Sequence, residues 1–169
     1  VNGIHVYTDW SPESIAEGFA EKNAMFFILT NSRAFQSTET EAEHWKIAER
    51  VAAEAKRTGK QFMLISRSDS TLRGHYPLET ATLAHALEEA GERIDGEVLM
   101  PFFKEGGRFT IGDVHYVQEG ADLTPAGETE FARDKTFGYT ASDMKAYIEE
   151  KTKGAFRAAD VVSISLDDL

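Results

Sequence analysis

Short apolar runs spaced by helix-length segments are the strongest constraint on what this chain can fold into. Ile4-His5-Val6-Tyr7, Met25-Phe26-Phe27-Ile28-Leu29, Phe62-Met63-Leu64-Ile65 and Val98-Leu99-Met100 are each too short for a helix and lack polar alternation. That pattern predicts strands covered on both faces. Val161-Val162-Ser163-Ile164 is a fifth candidate. The intervening segments carry helix signals. Ser11 and Pro12 read as an N-cap and first helical position, followed by Ile15, Ala16 and Phe19 on one face. Thr38 with Glu41 has the spacing of a capping box, ahead of a stripe of Trp45, Ala48, Ala52 and Ala55 that stops at Gly59. Pro77 opens a third helix with Leu78, Ala81, Ala84 and Leu87, closed by Gly91. A fourth follows Thr140 and Asp143, buries Met144, Tyr147 and Ile148, and ends at Gly154.

Strands alternating with helices of this length predict an α/β fold, a three-layer α/β/α arrangement around a mainly parallel sheet. One stretch departs from that pattern. Arg108-Phe109-Thr110-Ile111 and Val114-His115-Tyr116-Val117 flank Gly112-Asp113, which predicts an additional β-hairpin with a tight turn. The chain has 169 residues, enough for one domain over 1–169 with its own core.

Composition narrows the function. A formal net charge of -11 argues against nucleic acid as a partner. The absence of cysteine excludes disulfides, thiolate catalysis and Cys-type zinc sites, and fits a cytoplasmic location. No run reaches the length of a membrane span or a signal peptide, so no membrane partner is expected. Val1 leads within a few residues into an apparent strand, which suggests a cut chain.

In an open parallel sheet, ligands bind beyond the carboxyl ends of the strands. Three such loops stand out here: Thr30-Asn31-Ser32-Arg33, Ser66 through His75, and Pro101 through Arg108. They gather Arg33, Arg67, Arg73 and Arg108 in an acidic protein. Guanidinium groups match carboxylate or phosphate with paired donors, so a small anion is the expected ligand. Ser68, Ser70 and Thr71 suit sugar hydroxyls, while Gly74, Gly106 and Gly107 allow close backbone approach. His75 is the one histidine in these loops. The plainer reading has Asp69, Ser70 and Thr71 capping a turn, Arg67 or Arg73 paired with acidic neighbours, and Arg33 solvated. The five histidines show no metal-ligand spacing, so no metal site is expected. A Ser68 or Ser70 hydrolase with His75 lacks a Gly-x-Ser-x-Gly elbow, and no Gly-x-x-x-x-Gly-Lys-Ser/Thr phosphate loop is present.

The segment Asp69-Ser70-Thr71-Leu72-Arg73-Gly74 resembles the Asp-Ser-Thr-x-Arg-Gly signature of the four-carbon acid sugar kinase family. Leu29-Thr30-Asn31-Ser32-Arg33, the stretch Pro101 through Thr110, and Glu128-Thr129-Glu130-Phe131-Ala132-Arg133-Asp134 are similar to further family blocks in the same order. The resemblance implies the N-terminal, acid-sugar-binding domain of a two-domain enzyme. Such an enzyme transfers the γ-phosphate of ATP, with Mg2+, to a hydroxyl of threonate, erythronate or an oxo-tetronate. It implies a C-terminal nucleotide-binding domain as partner, and that this chain alone is inactive and binds no cofactor. Asp69 would orient or deprotonate the attacking hydroxyl, Arg73 would hold the carboxylate, and Arg33, Arg67, Ser68, Ser70, Thr71, Gly74, His75 and Arg108 would complete the substrate site. The family's Asp-rich first-strand stretch lies upstream of where this chain starts. Two other readings of the same loops stand beside the enzyme: a non-catalytic module that binds a small carboxylate, and an interaction protein whose arginines grip acidic partners. Homo-oligomerisation stays open.

Overall fold

The computed structural model describes residues 3–168, which fold into a mixture of helices and short strands. They form two compact units, Val1–Ser66 with Leu78–Glu97, and Arg67–Pro77 with Val98–Leu169.

The first unit contains β1 (Val6–Tyr7), α1 (Pro12–Ala20), β2 (Phe27–Ile28), α2 (Ser37–Thr58) and α3 (Leu78–Glu89). β1 and β2 pair in parallel, with Val6 opposite Phe27 and Tyr7 opposite Ile28. α1 starts as its sequence predicts: the Ser11 side chain accepts from the Ser14 amide at 3.2 Å, and Pro12 takes the first turn. The 22 residues of α2 present two apolar lines. Ile47, Val51 and Ala55 pack with Ile15 and Phe19 of α1, while Ala48 and Ala52 meet Leu83, Ala86 and Leu87 of α3. Burying each large aliphatic side chain here is worth about 1.5–3 kcal/mol against an exposed one. Gly59 ends α2 in the left-handed region at φ 67°, where a side chain would be strained.

Several expected details differ. α2 begins at Ser37 with Gln36 as N-cap and no side-chain cap, so Thr38 sits inside the first turn and forms no capping box with Glu41. α3 buries Glu79, Thr82, Leu83, Ala86 and Leu87, leaving Ala81 exposed, because the small residues of α2 select that line of contact. Residues 62–65 form no strand. Phe62 and Leu64 cover the helices while Met63 and Ile65 are exposed, so this run gains its burial on one face without a ladder of backbone hydrogen bonds.

The second unit is organised by β3 (Arg108–Ile111), β4 (Val114–Glu119) and β5 (Asp122–Pro125), an antiparallel sheet in that order. The hairpin appears with the expected register, Ile111 opposite Val114 and Arg108 opposite Val117. Gly112 and Asp113 take φ of 56° and 67°, the double left-handed turn that matches strand twist. α4 (Met144–Lys151) is capped by Asp143, whose carboxylate accepts from the Ala146 amide at 2.9 Å. Its start docks on the hairpin: the Met144 amide donates to the Asp113 carbonyl and the His115 amide to the Ser142 carbonyl, each at 2.8 Å. The core joins Leu72, Val117, Ala126, Ala132, Tyr139, Met144 and Tyr147. Residues 98–100 and 161–164 lie outside any strand, with Val98, Met100, Val162 and Ile164 exposed. The parallel sheet is therefore two-stranded, and the larger sheet is antiparallel.

Because the Asp143 cap fixes the end of α4 that touches the hairpin, Asp143→Ala should lower stability by about 1 kcal/mol in urea unfolding. An unchanged midpoint would show that the docking, not the cap, holds this end.

Candidate functional site

The segment 69–73 turns tightly because Asp69 organises it. Its carboxylate accepts from the Thr71 hydroxyl at 2.5 Å and from Arg73 Nε at 2.8 Å, and its backbone carbonyl accepts from the Leu72 amide at 2.9 Å. Arg73 Nε also reaches the Thr71 hydroxyl at 2.8 Å. Leu72 adopts φ 64° with its side chain buried in the core, so the turn is held by packing as well as by charge. Gly74 completes it: a Cβ there would lie 1.8 Å from Ser68 Oγ, so a larger residue would require the Ser68 side chain to swing away. Gly74 thus serves the closure of the loop.

Three consecutive carbonyls of this turn are bound from beneath by buried side chains. His115 Nε2 lies 2.8 Å from the Ser70 carbonyl, the Tyr139 hydroxyl donates to that of Thr71 at 2.9 Å, and the Tyr147 hydroxyl approaches that of Leu72 at 3.5 Å. A carbonyl can only accept, so His115 carries its proton on Nε2, leaving Nδ1 to accept from Thr110 at 2.9 Å. Burial pushes the His115 ring below the usual histidine range, and the Arg108 charge adds to this, against the opposing effect of the Ser70 carbonyl. The ring is neutral at pH 7. Burial also pushes the Tyr139 hydroxyl up to about 12, so it remains a donor at any working pH.

Arg108 arrives from the other side of the sequence. Residues 103–107 fold back, with Phe103 and Arg108 exchanging both backbone hydrogen bonds, and Gly107 turns at φ 71° to start β3. The guanidinium carbons of Arg73 and Arg108 lie 4.7 and 5.4 Å from the centre of one ring, Phe131. Arg73 spends Nε on Asp69 and Thr71, and its terminal amino groups have no partner among the described residues. Arg108 donates through Nη1 to the Gly106 carbonyl, while its buried Nε has no partner. Asp69 is the one carboxylate ion-paired to either arginine among the described residues. Burial raises the Asp69 carboxyl, but hydrogen bonds from Thr71 and Arg73 and the arginine charge outweigh it and hold the group below its ordinary range. It is ionised at neutral pH.

Of the expected site residues, Asp69, Thr71, Arg73 and Arg108 come together. Ser70 contributes its carbonyl to the His115 contact, Arg67 and Ser68 are exposed, and His75 is buried with its ring edge-on to Phe137 at 4.8 Å. Arg33 lies in the first unit, exposed in a 3-10 turn, Ser32–Ala34, entered through Asn31 at φ 52°. That unit has its own polar cluster: buried Glu79 accepts from Ser32 Oγ at 2.6 Å and Ser66 Oγ at 3.0 Å, with His44 Nε2 at 3.9 Å. Phe131, His115 and Tyr139 were absent from the expected site. Phe131 stands within the Glu128 through Asp134 block, which was the available signal; nothing local marks the other two. Among the described residues no cluster of three or more metal-ligating side chains forms, and no helix is long and apolar enough to cross a membrane.

The chain belongs to the family of sugar-binding N-terminal domains, whose family model matches residues 3–168, and this is the N-terminal sugar-binding domain of the four-carbon acid sugar kinase family. Comparison with curated proteins returns no match.

The neutral, buried His115 carries a pH signature. Its depressed folded value means its contribution to stability is present above the unfolded value near 6.5 and lost as pH falls through the lower folded value. Between pH 7.5 and 5, the denaturant midpoint of the wild type should therefore fall more steeply than that of His115→Gln. Parallel curves would show that the ring is not buried as described.

Proposed function

We propose that Arg73 and Arg108 together bind the carboxylate of a small sugar acid, and that this domain presents that acid to a nucleotide-binding domain for phosphorylation by ATP. The observation that carries the reading is two guanidinium groups at one aromatic ring, with Asp69 the one carboxylate ion-paired to either of them among the described residues. Two cations at the same ring repel each other, and a bound anion would offset that repulsion while meeting donors that have no partner among the described residues. Membership of a sugar-binding family supports a hydroxylated ligand. Arg73 takes one carboxylate oxygen through its terminal amino groups. Arg108, fixed by its contact to the Gly106 carbonyl, takes the other. Phe131 gives both a flat apolar backing that lowers their hydration and strengthens the contact.

Asp69 acts in this account by orienting. It fixes Arg73 and Thr71, and its lowered acidity range makes it a poor acceptor for a hydroxyl proton. ATP and Mg2+ belong to the complete enzyme, where a C-terminal domain supplies the phosphoryl group. The four-carbon acids threonate, erythronate and oxo-tetronate are the proposed substrate class.

Calorimetric titration of the chain with D-erythronate and L-threonate should show binding, and the neutral tetrol erythritol should bind at least about tenfold more weakly, the loss expected when charged hydrogen bonds have no anion to meet. Arg73→Lys should weaken acid binding by about 10-fold or more, since an ammonium cannot serve Asp69 and the ligand in the same planar geometry. In the complete enzyme, coupled ATP consumption with the same acids should fall with Arg73→Ala. Equal affinity for the acids and erythritol would overturn the anion reading. Acid binding without ATP consumption by the complete protein would overturn the kinase and leave a binding module.

A further inference from the structure

Two arginines can grip one small anion only if their separation is fixed, and Arg73 and Arg108 are 35 positions apart on different kinds of backbone. Arg108 is the first residue of β3, held in register opposite Val117. Arg73 sits in the 69–73 turn, which belongs to no strand or helix. The side-chain hydrogen bond that joins turn and hairpin comes from His115. It stands opposite Thr110 in the hairpin register, is fully buried, and reaches the Ser70 carbonyl at 2.8 Å while Thr110 holds its other nitrogen at 2.9 Å.

We propose that His115 is a positioning residue that sets the spacing of Arg73 from Arg108 by clamping the Ser70 carbonyl to the hairpin. This rests on the proposed pairing of the two arginines at one anion, but its core is a mechanical statement about the chain alone. The clamp needs both ring nitrogens. Nε2–H donates to Ser70, and Nδ1 accepts from Thr110, so the hairpin itself fixes the ring's tautomer and its tilt. Tyr139 restrains the next carbonyl, that of Thr71, from residues following the sheet. With Ser70 held, the Asp69 carboxylate one residue earlier and the Arg73 Nε it receives keep their 2.8 Å contact at a fixed place relative to β3. With Ser70 released, the turn keeps its internal hydrogen bonds and its Tyr139 and Tyr147 contacts but loses its hydrogen bond to the hairpin that carries Arg108. The loss is in the spacing of the arginines, not in their chemistry.

The test uses side chains that copy one ring nitrogen at a time. A glutamine amide at 115 reaches the place of Nε2 and can donate to Ser70, whereas an asparagine amide reaches only the place of Nδ1. The chain, labelled with 15N-arginine, is observed through the Arg73 Nε–H signal, assigned with Arg73→Lys, and titrated with D-erythronate. His115→Asn is expected to move or broaden the Arg73 Nε–H signal and lower erythronate affinity about tenfold or more. His115→Gln is expected to restore both towards wild type, and Thr110→Val, which leaves the ring but removes the donor to Nδ1, is expected to fall between them. A packing role alone would give Gln and Asn the same effect, scaling with thermal stability. An Arg73 signal unchanged in both His115→Asn and Thr110→Val overturns the clamp. If His115→Asn does not fold, Thr110→Val against His115→Gln decides the matter by the same signal. Wild-type chain that binds no erythronate, with the Arg73 signal responding as expected, removes the proposed ligand and leaves the clamp standing.

Discussion

Asp69 holds Arg73 by Nε and leaves its terminal amino groups without a partner among the described residues, and the reading of the 69–73 turn as an anion site depends on that contact. A carboxylate that met the arginine through both terminal nitrogens would close the fork that an anion needs. Here the ion pair is spent at the side of the guanidinium, where it orients the fork. Thr71 closes the geometry by bonding to both members, and it is itself almost wholly buried. The arrangement explains why the carboxyl is held in its charged form despite partial burial.

The turn bearing this pair is irregular backbone, and irregular backbone in a partly buried position must have its carbonyls satisfied. His115, Tyr139 and Tyr147 meet this need at three successive residues, each from a different part of the unit. Satisfying those carbonyls with side chains from β4, the segment after the sheet and α4 joins the unit's hydrophobic core to the turn, since Tyr139 and Tyr147 belong to that core. Burial therefore serves stability and placement at once. The same neutral histidine and high-range tyrosine act as donors, not as acids, because the surrounding apolar packing disfavours their charged forms.

Features set by near neighbours in the chain were legible in the sequence. The hairpin at Gly112-Asp113, the Ser11–Pro12 start of α1, the Gly59 stop and the Asp143 cap all depend on residues within a turn of each other. The Asp69, Thr71 and Arg73 cluster was legible for the same reason, through its local motif. Phe131 and His115 were not, because their roles arise from approach in space: Phe131 is 58 positions from Arg73, and His115 is 45 positions from Ser70. The apolar runs at 62–65, 98–100 and 161–164 misled for a related reason. Apolar character predicts burial, and a strand needs in addition a partner backbone, which is a property of the pair and not of the run.

The central claim is that Arg73 and Arg108 act on one anion as a unit, and a double-mutant cycle measures that directly. Calorimetric affinities for D-erythronate would be taken for the wild type, Arg73→Ala, Arg108→Ala and the double variant. If both arginines hold the same carboxylate, the second substitution costs much less once the first is made, a coupling of about 1 kcal/mol or more. Strictly additive losses would contradict the account, because they would mean that the two arginines serve separate ligands or none in common.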